Sequence, residues 1–221
     1  IMRWSLAGGP AVPLVELPGL SLSTVVAFGA LEDHLVVVDG QGVFTFDARP
    51  GDAVDSATVA DGYLSAAAVA PDVRSVFAVT VSASQRGRLT RYAIASAGAV
   101  GPPRYGPPGK WPGYNDRLIV GADGAQLVDS RGTRFDGTNL VPSGSIGRWP
   151  EAVAVEGDTL YATVNQQIWR WSGAWSSGSA GGPTVGGPVP SSDTLDNRPF
   201  GLAADAGALF TFARGGENAL S

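Results

Sequence analysis

The chain ends with ALFTFARGGENALS (residues 208–221) and begins with IMRWSLAGG (residues 1–9), and the two stretches joined end to start read like one β-hairpin. An internal stretch, TLYATVNQQIWRWSGAW (159–175), has the same order of residues. Each half of it is a short apolar or aromatic run bounded by turn residues, a pattern typical of strands. The two termini are therefore predicted to be complementary parts of one antiparallel sheet.

A pattern of small apolar run, acidic residue, turn and apolar-aromatic run repeats along the chain. PEAVAVEGDTLY (150–161) aligns with PFGLAADAGALF (199–210) from the proline to the aromatic residue. Looser copies are STVVAFGALEDHLVVV (23–38), LSAAAVAPDVRSVFAV (64–79) and NDRLIVGADGAQLV (115–128). The mean spacing of the copies is about 44 residues, which lies within the range of propeller repeats.

Two further strands are predicted after each pair, so that one unit has four strands, A to D. The third strands are GVFTFDA (42–48), GRLTRYAIA (87–95), GTRFDG (132–137), IWRWSG (168–173) and IMRWSLAG (1–8). Fourth strands include AVPLVELPG (11–19), AVDSATVADG (53–62) and SGSAGGPTVGGPVP (177–190), whereas VGPPRYGPPGKWPG reads as a proline-rich insertion. Strand A is small and apolar, which predicts an innermost strand buried on both faces, and the aromatic residues of strands B and C are predicted to fill the space between sheets.

Four-stranded sheets repeated about an axis form a β-propeller. The predicted fold is an all-β, five-bladed propeller of four-stranded antiparallel blades, with the last blade closed by the N- and C-terminal strands. Pairing of the termini removes the two bare sheet edges of an open ring. A single domain is predicted over 1–221, although a middle fragment of a larger propeller would show the same phase. The predicted blades are 21–62, 63–110, 111–149, 150–195, and 196–221 plus 1–20.

The stretch NRPFGLAADAGALFTFARGGENAL, continued by IMRWSLAGGPAVPLVE, resembles a repeat of bacterial secreted β-propeller proteins that is similar to NHL and YWTD propeller repeats. The clear match covers 196–221 and 1–20. The Tyr-Trp-Thr-Asp signature is absent, because Phe210-Thr211-Phe212 and Tyr161-Ala162-Thr163 stand in its place. The resemblance implies a propeller and an extracellular, periplasmic or cell-surface location. It implies function only broadly, since such propellers act as binding platforms, scaffolds and occasional enzymes.

Composition excludes several classes of function. The formal net charge is −5 with no basic patch, so neither a nucleic-acid partner nor a polybasic membrane contact is expected. No apolar run is long enough to span a bilayer, and no membrane insertion is expected. The chain has no cysteine and one histidine, His34, which is predicted to be a solvated turn residue. Neither a metal nor a cofactor is therefore predicted.

In a propeller, the D-to-A and B-to-C connections lie on one face, around the central channel, and loops on a rigid scaffold commonly carry function. Aromatic and polar residues of the D-to-A connections are predicted to form a ligand-binding rim, without catalytic residues. These residues are Tyr63, Trp111, Tyr114, Asn115, Arg148, Trp149, Asn197, Arg198 and Phe200. Alternatively, the aromatic residues plug the ends of the cores between blades.

The sequence thus predicts a non-catalytic binding or interaction module of an exported bacterial protein, whose partner is a small molecule, a glycan (lectin-like binding) or a protein. One alternative is a carbohydrate-active enzyme of the glycoside hydrolase type, in which two rim carboxylates act as acid and nucleophile or base. Its candidate carboxylates are Asp61, Asp116, Glu151 and Asp196. The same side chains could instead cap turns. The other alternative is a structural platform within a larger assembly.

Overall fold

The computed structural model describes a defined part of the chain: residues 2–3, 12–13, 25–31, 33–48, 51–82, 87–108, 117–121, 124–146, 150, 152–156, 159–164, 167–172, 184–188, 199–205 and 208–213. Every regular element in these ranges is a β-strand, and all the strand pairs are antiparallel. No helix in the described ranges is long and apolar enough to cross a membrane. The all-β prediction is confirmed for this part of the chain.

The chain forms two compact units, and the first is Ile1–Asn115. It begins with the paired strands β1 (Met2–Arg3) and β2 (Val12–Pro13). Sheet 1 contains β3 (Val25–Leu31), β4 (His34–Asp39), β5 (Gly42–Asp47) and β6 (Ala53–Thr58), in that order. Sheet 2 contains β7 (Tyr63–Val69), β8 (Ser75–Val81), β9 (Arg88–Ala93) and β10 (Arg104–Tyr105), again in chain order.

The second unit is Asp116–Ser221. Sheet 3 contains β11 (Leu118–Val120), β12 (Gln126–Asp129), β13 (Thr133–Asp136) and β14 (Val141–Ser145). Sheet 4 contains β15 (Ala152–Glu156), β16 (Thr159–Val164), β17 (Gln167–Ser172) and β18 (Thr184–Pro188). The strands β19 (Pro199–Asp205) and β20 (Ala208–Ala213) pair with each other.

The order of the strands follows the repeat read from the sequence. Each of the four complete sheets is an antiparallel meander of four consecutive strands, with no crossover. The two terminal pairs have the A–B and C–D pairings that the repeat predicts. Their union into one sheet, the count of five blades and the single domain over 1–221 stay predictions.

Strand B, rather than strand A, is the most completely buried strand in the sheets for which the burial of both strands is described. On β8 the residues from Ser75 to Val79 are all buried, whereas Ala67, Ala68 and Val69 on β7 are only partly buried. The prediction that strand A is buried on both faces is therefore wrong for β7. The reason is that β8 is covered on both faces, since Val76 and Ala78 belong to one apolar cluster and Val79 and Val81 to another.

In the first unit, sheets 1 and 2 share one apolar core. Val36, Val38 and Val43 of sheet 1 pack with residues of sheet 2 that include Val76 and Tyr92. These side chains occupy alternate positions on their strands, so each sheet presents one apolar face to the other. At about 25 cal/mol per Å² of buried apolar surface, this contact is the main favourable term that holds the two sheets together.

In the second unit, sheets 3 and 4 share a second core. Val128 and Ile146 pack with Leu160 and Trp171, and the Trp171 side chain is 1% exposed. The rings of Trp169 and Trp171 lie 6.3 Å apart at an interplanar angle of 32°. Aromatic residues of strand C thus fill space between sheets, as predicted for Trp171.

Two expectations from the sequence are corrected by the structure. The predicted proline-rich insertion contains β10, the outermost strand of sheet 2, because Arg104 and Tyr105 pair with Arg91 and Thr90 despite the flanking prolines. His34 is not a solvated turn residue. It begins β4 and is partly buried beside Gly98, where an added Cβ would lie 2.6 Å from the imidazole ring.

Candidate functional site

Among the described residues, a candidate site is formed by a cleft of about 220 Å³ at one end of sheet 2. The D-to-A connection between β6 and β7 forms one wall, and the ends of β8, β9 and β10 nearest the B-to-C connection form the other. This is the end of the sheet at which the sequence predicts a site. The lining residues are Val59, Ala60, Asp61, Thr80, Ser82, Arg88 and Tyr105. We refer to this site as the sheet 2 cleft.

The β6–β7 connection is held in place by the hairpin turn of sheet 1. The N–H of Val59 donates to the carbonyl oxygen of Gln41 at 2.8 Å, and the N–H of Leu64 donates to that of Gly40 at 2.9 Å. The buried Asp39 carboxylate orders this turn, because its Oδ1 accepts the N–H groups of Gln41 at 2.7 Å and Gly42 at 2.9 Å. Asp39 therefore positions the wall that carries Asp61.

A network of hydroxyl groups forms the part of the cleft that belongs to β8 and β9. The hydroxyls of Thr80 and Thr90 are 2.7 Å apart and form a hydrogen bond. Burial raises the pKa of Tyr92 to about 12, the nearby Tyr105 adds to the rise, and a hydrogen bond with Thr80 opposes it. Tyr92 consequently stays protonated at physiological pH. Thr80, which lines the cleft, is thus hydrogen-bonded to the uncharged hydroxyl groups of Thr90 and Tyr92.

The cleft carries one positive and one negative side chain. Arg88 is partly buried, and its Nε is a buried atom that finds no hydrogen-bond partner in the part of the chain that the structure describes. Asp61 is exposed and lines the same cleft from the β6–β7 connection. Within the described ranges, no ion pair joins Asp61 or Arg88 to any other residue. The cleft therefore offers an ionic donor and an ionic acceptor that do not neutralise each other.

Arg88 is aligned by its strand register. It lies directly opposite Thr80 in the β8–β9 pair, and residues directly opposite each other in a pair share one face of the sheet. Tyr105 lies opposite Thr90 on the next strand and is 49% exposed. The cleft thus combines a cation, hydroxyl groups and an accessible aromatic ring, the convergent polar groups that are typical of small-ligand sites.

The structure describes few of the residues that the sequence predicts at the rim. Tyr63 begins β7 and is 43% exposed, but it does not line the cleft. Phe200 lies in β19, and its side chain falls outside the described part. The remaining predicted residues lie outside the described ranges, and their roles stay predictions: Trp111, Tyr114, Asn115, Arg148, Trp149, Asn197 and Arg198.

Of the alternative carboxylates, the structure describes Asp61 and brings it into the cleft. Asp116, Glu151 and Asp196 lie outside the described residues. No group of three or more acidic or histidine side chains in the described ranges could hold a metal ion. Neither a metal centre nor a carboxylate pair is therefore assigned to the cleft.

Several other described carboxylates cap turns. Oδ1 of Asp129 accepts the N–H groups of Arg131 and Thr133, which repeats in sheet 3 the arrangement at Asp39. Oδ1 of Asp136 accepts the N–H groups of Thr138 and Asn139. Although burial opposes it, these hydrogen bonds lower the pKa of Asp136, so they favour the charged carboxylate. Asp129 and Asp136 thus cap turns, whereas turn capping by Asp116, Glu151 and Asp196 stays a prediction.

Sequence reasoning missed Arg88, Thr80, Ser82 and Tyr105. A usable signal was present, because GRLTRY begins directly after a predicted B-to-C connection and therefore places an arginine at the predicted face. The contribution of Tyr105 could not be read, because its strand lies within the proline-rich segment.

No protein-family model matches the sequence, and no curated protein matches it. Among solved structures, the chain is similar to the periplasmic gluconolactonase PpgL of Pseudomonas aeruginosa, with 14% identity and a TM-score of 0.54. That alignment covers 86% of this chain and 64% of the gluconolactonase chain, so this chain spans less than two thirds of its length. A chain of a nidogen/laminin complex is similar at 13% identity and a TM-score of 0.55, over 92% of this chain and 76% of that chain.

At these identities the similarity concerns the fold alone. Together with the repeated four-stranded antiparallel sheets, it supports a β-propeller repeat fold. The narrower resemblance to bacterial secreted propellers stays a prediction.

Proposed function

We propose that the chain is a non-catalytic binding module of an exported protein and that it holds a small polar ligand in the sheet 2 cleft. The observation that carries this proposal is the pair of unneutralised charges in the cleft. Arg88 and Asp61 both line the cleft, and no ion pair joins either of them to another described residue. A ligand of opposite charge at either side chain would gain a charge-assisted interaction that the described residues do not already supply.

Binding is favoured over hydrolysis because hydrolysis requires a second carboxylate at a suitable distance. Among the described residues that line the cleft, Asp61 is the acidic one, and Asp39, in the same unit, is engaged in a turn. The two structural neighbours are a gluconolactonase and a component of a protein complex, so the fold alone does not choose between catalysis and binding.

The cleft is tested by ligand-induced thermal stabilisation of the purified chain against a library of metabolites and glycans. A ligand of the cleft should raise the melting temperature of the wild type and act more weakly on Arg88→Gln and Thr80→Val. Arg104→Gln and Thr58→Val are matched controls, because both residues are exposed and lie outside the cleft lining. A ligand whose effect is equal in all five proteins does not use the cleft.

The rim predicted from the sequence is tested separately with Tyr114→Ala and Trp149→Ala. A glycan or protein partner that loses affinity for these variants, but not for Arg88→Gln, would move the binding site to the rim. Turnover of a glycoside that disappears in Glu151→Gln or Asp116→Asn would favour the carbohydrate-active enzyme. Co-purification of a partner without any small-molecule effect would favour the structural platform.

A location outside the cytoplasm belongs to the same proposal. It rests on the resemblance to secreted propeller repeats and on the periplasmic gluconolactonase among the structural neighbours. Fractionation of the producing cells, with antibodies against the chain, tests it directly. Recovery of the chain with the cytoplasmic fraction would contradict it.

A further inference from the structure

We infer that the ligand of the sheet 2 cleft is a small zwitterion, such as an amino acid, whose carboxylate meets Arg88 and whose ammonium group meets Asp61. This inference rests on the proposed function, because it names the chemical class of the ligand for the same site. Three observations lead to it: the size of the cleft, the signs of its two charges and the absence of an ion pair between them.

The size of the cleft limits the ligand. A volume of about 220 Å³ is below the roughly 300–1,000 Å³ of sites that take drug-sized molecules. A single amino acid or a molecule of similar size therefore matches the space better than an oligosaccharide or a nucleotide does.

The positive side chain selects a carboxylate on the ligand. The guanidinium of arginine presents a planar set of donors that matches a carboxylate, and Arg88 lines the cleft without an ion pair to another described residue. The Thr80 and Ser82 side chains line the same cleft, and Thr80 lies directly opposite Arg88 in the strand register. An anionic group placed here can accept hydrogen bonds from the guanidinium.

The negative side chain, Asp61, makes the cleft favour a zwitterion over a simple anion. Asp61 lines the same cleft, and its field reaches across the cleft because the screening length in about 0.1 M salt is roughly 10 Å. A simple anion therefore gains from Arg88 and loses from Asp61. A molecule that also carries an ammonium group gains from both, and the exposed ring of Tyr105 offers that group an additional cation–π partner.

The experiment compares compounds that differ by one charge. Isothermal titration calorimetry of the purified chain measures the binding of 4-aminobutanoate, butanoate and butylamine, and of glycine, acetate and methylamine. In at least one of the two series, the zwitterion should bind at least about tenfold more tightly than either singly charged analogue, since a hydrogen bond to a charged group contributes that much. Equal binding of zwitterion and anion in both series would overturn the inference.

Two variants, each of which removes one charge of the cleft, should change the affinities for the anion in opposite directions. Asp61→Asn should weaken binding of the zwitterion and strengthen binding of the anion, because it removes the repulsion between Asp61 and the carboxylate of the anion. Arg88→Gln should weaken binding of both the zwitterion and the anion and strengthen binding of the amine, because it removes the repulsion between Arg88 and the ammonium group. Asp52→Asn and Arg104→Gln, at exposed positions outside the cleft, should leave all affinities unchanged. An unchanged selectivity in Asp61→Asn would also overturn the inference.

Arg88 is partly buried, so its variants need a check of folding. Arg88→Lys keeps the positive charge and should retain the preference for the zwitterion over the amine, and near-ultraviolet circular dichroism compares the folds. If a neutral sugar binds, and Thr80→Val and Arg88→Gln weaken its binding while Asp61→Asn does not, the zwitterion is wrong and the proposed function stands. If no compound of any class binds, both the zwitterion inference and the proposed function are wrong.

Discussion

The hydroxyl of Thr45, on β5 of sheet 1, donates a 2.6 Å hydrogen bond to the carbonyl oxygen of Gly98, in the connection between β9 and β10 of sheet 2. The Thr45 side chain and Gly98 are both buried, so water does not replace this bond. The contact fixes the register of the two sheets at the end opposite the sheet 2 cleft. This hydrogen bond is therefore a directional interaction within a contact between sheets 1 and 2 that is otherwise apolar.

Replacing Thr45 with valine keeps the shape of the side chain and removes the donor. We expect Thr45→Val to lower the free energy of unfolding by about 1–3 kcal/mol, because the carbonyl of Gly98 is left buried without its partner. Urea unfolding measures this change. Thr58→Val is the matched control on the exposed strand β6 and should stay within about 0.5 kcal/mol of the wild type. An equal loss in both variants would contradict the assigned role of Thr45.

A second polar contact between sheets 1 and 2 depends on pH. The hydrogen bonds that Asp55 accepts from the N–H groups of Val100 and Ser56 lower its pKa below the ordinary value of 3.8. Since the folded pKa is the lower one, the carboxylate stabilises the fold above the unfolded pKa. This contribution is lost as the pH falls through the folded pKa, in the range below about pH 4.

Asp55→Asn should therefore make the loss of stability between about pH 5 and pH 2 less steep. Chemical unfolding at a series of pH values measures the slope for both proteins. The slope of unfolding free energy against pH should be reduced but not abolished, because Asp136, whose pKa is also lowered, is still present in the variant. Identical slopes in the variant and the wild type would show that Asp55 is not linked to folding.

The turn that supports the sheet 2 cleft gives a third prediction. Asp39→Ala leaves the N–H groups of Gln41 and Gly42 without their acceptor and should cost about 1–3 kcal/mol in unfolding free energy. Asp39→Asn keeps one oxygen acceptor and should cost less. Asp72→Ala is a control, since exposed Asp72 accepts one N–H, from Arg74, in a turn away from the cleft. Asp39→Ala should also weaken any ligand of the cleft, whereas Asp72→Ala should not.

Gly62 permits the β6–β7 connection to reach β7. Its φ angle is +107°, and a Cβ at this position would collide with the backbone carbonyl group of Val81. Gly62→Ala should thus lower the free energy of unfolding by more than about 1 kcal/mol and displace Asp61 in the cleft. Gly40→Ala is the matched control, because a Cβ there meets no atom within 4 Å. Comparable melting temperatures for the two variants would contradict this account.

Much of the fold could be predicted because the residue pattern of a strand is contained within a short stretch of sequence. The repeated segments at 150–161 and 199–210 contain the pairs β15–β16 and β19–β20. The burial of strand B and the position of β10 could not be read in the same way, since both depend on which strands are neighbours. His34 illustrates the same limit, because the sequence does not show that Gly98 lies against its ring.

The candidate site was predictable in its location and not in its residues. Sequence reasoning expected function at the D-to-A and B-to-C connections, and Asp61 is one of the residues it named there. It emphasised aromatic residues of the connections, whereas the cleft depends on Arg88 and Thr80 at strand ends. Those side chains meet through the register of β8 and β9, which places Arg88 directly opposite Thr80.

The outermost strands of sheets 1, 2 and 3 are poorly suited to recruit a strand from another molecule. In sheet 2 this strand is β10, which has two residues, and in sheet 3 it is β14, which contains Pro142 and a register shift opposite Arg134 and Phe135. In sheet 1, β6 carries the charge of Asp55. Short length, proline, irregular pairing and charge all obstruct edge-to-edge aggregation. Within the described residues, the borders of these three sheets therefore resist pairing with another chain although no helix covers them.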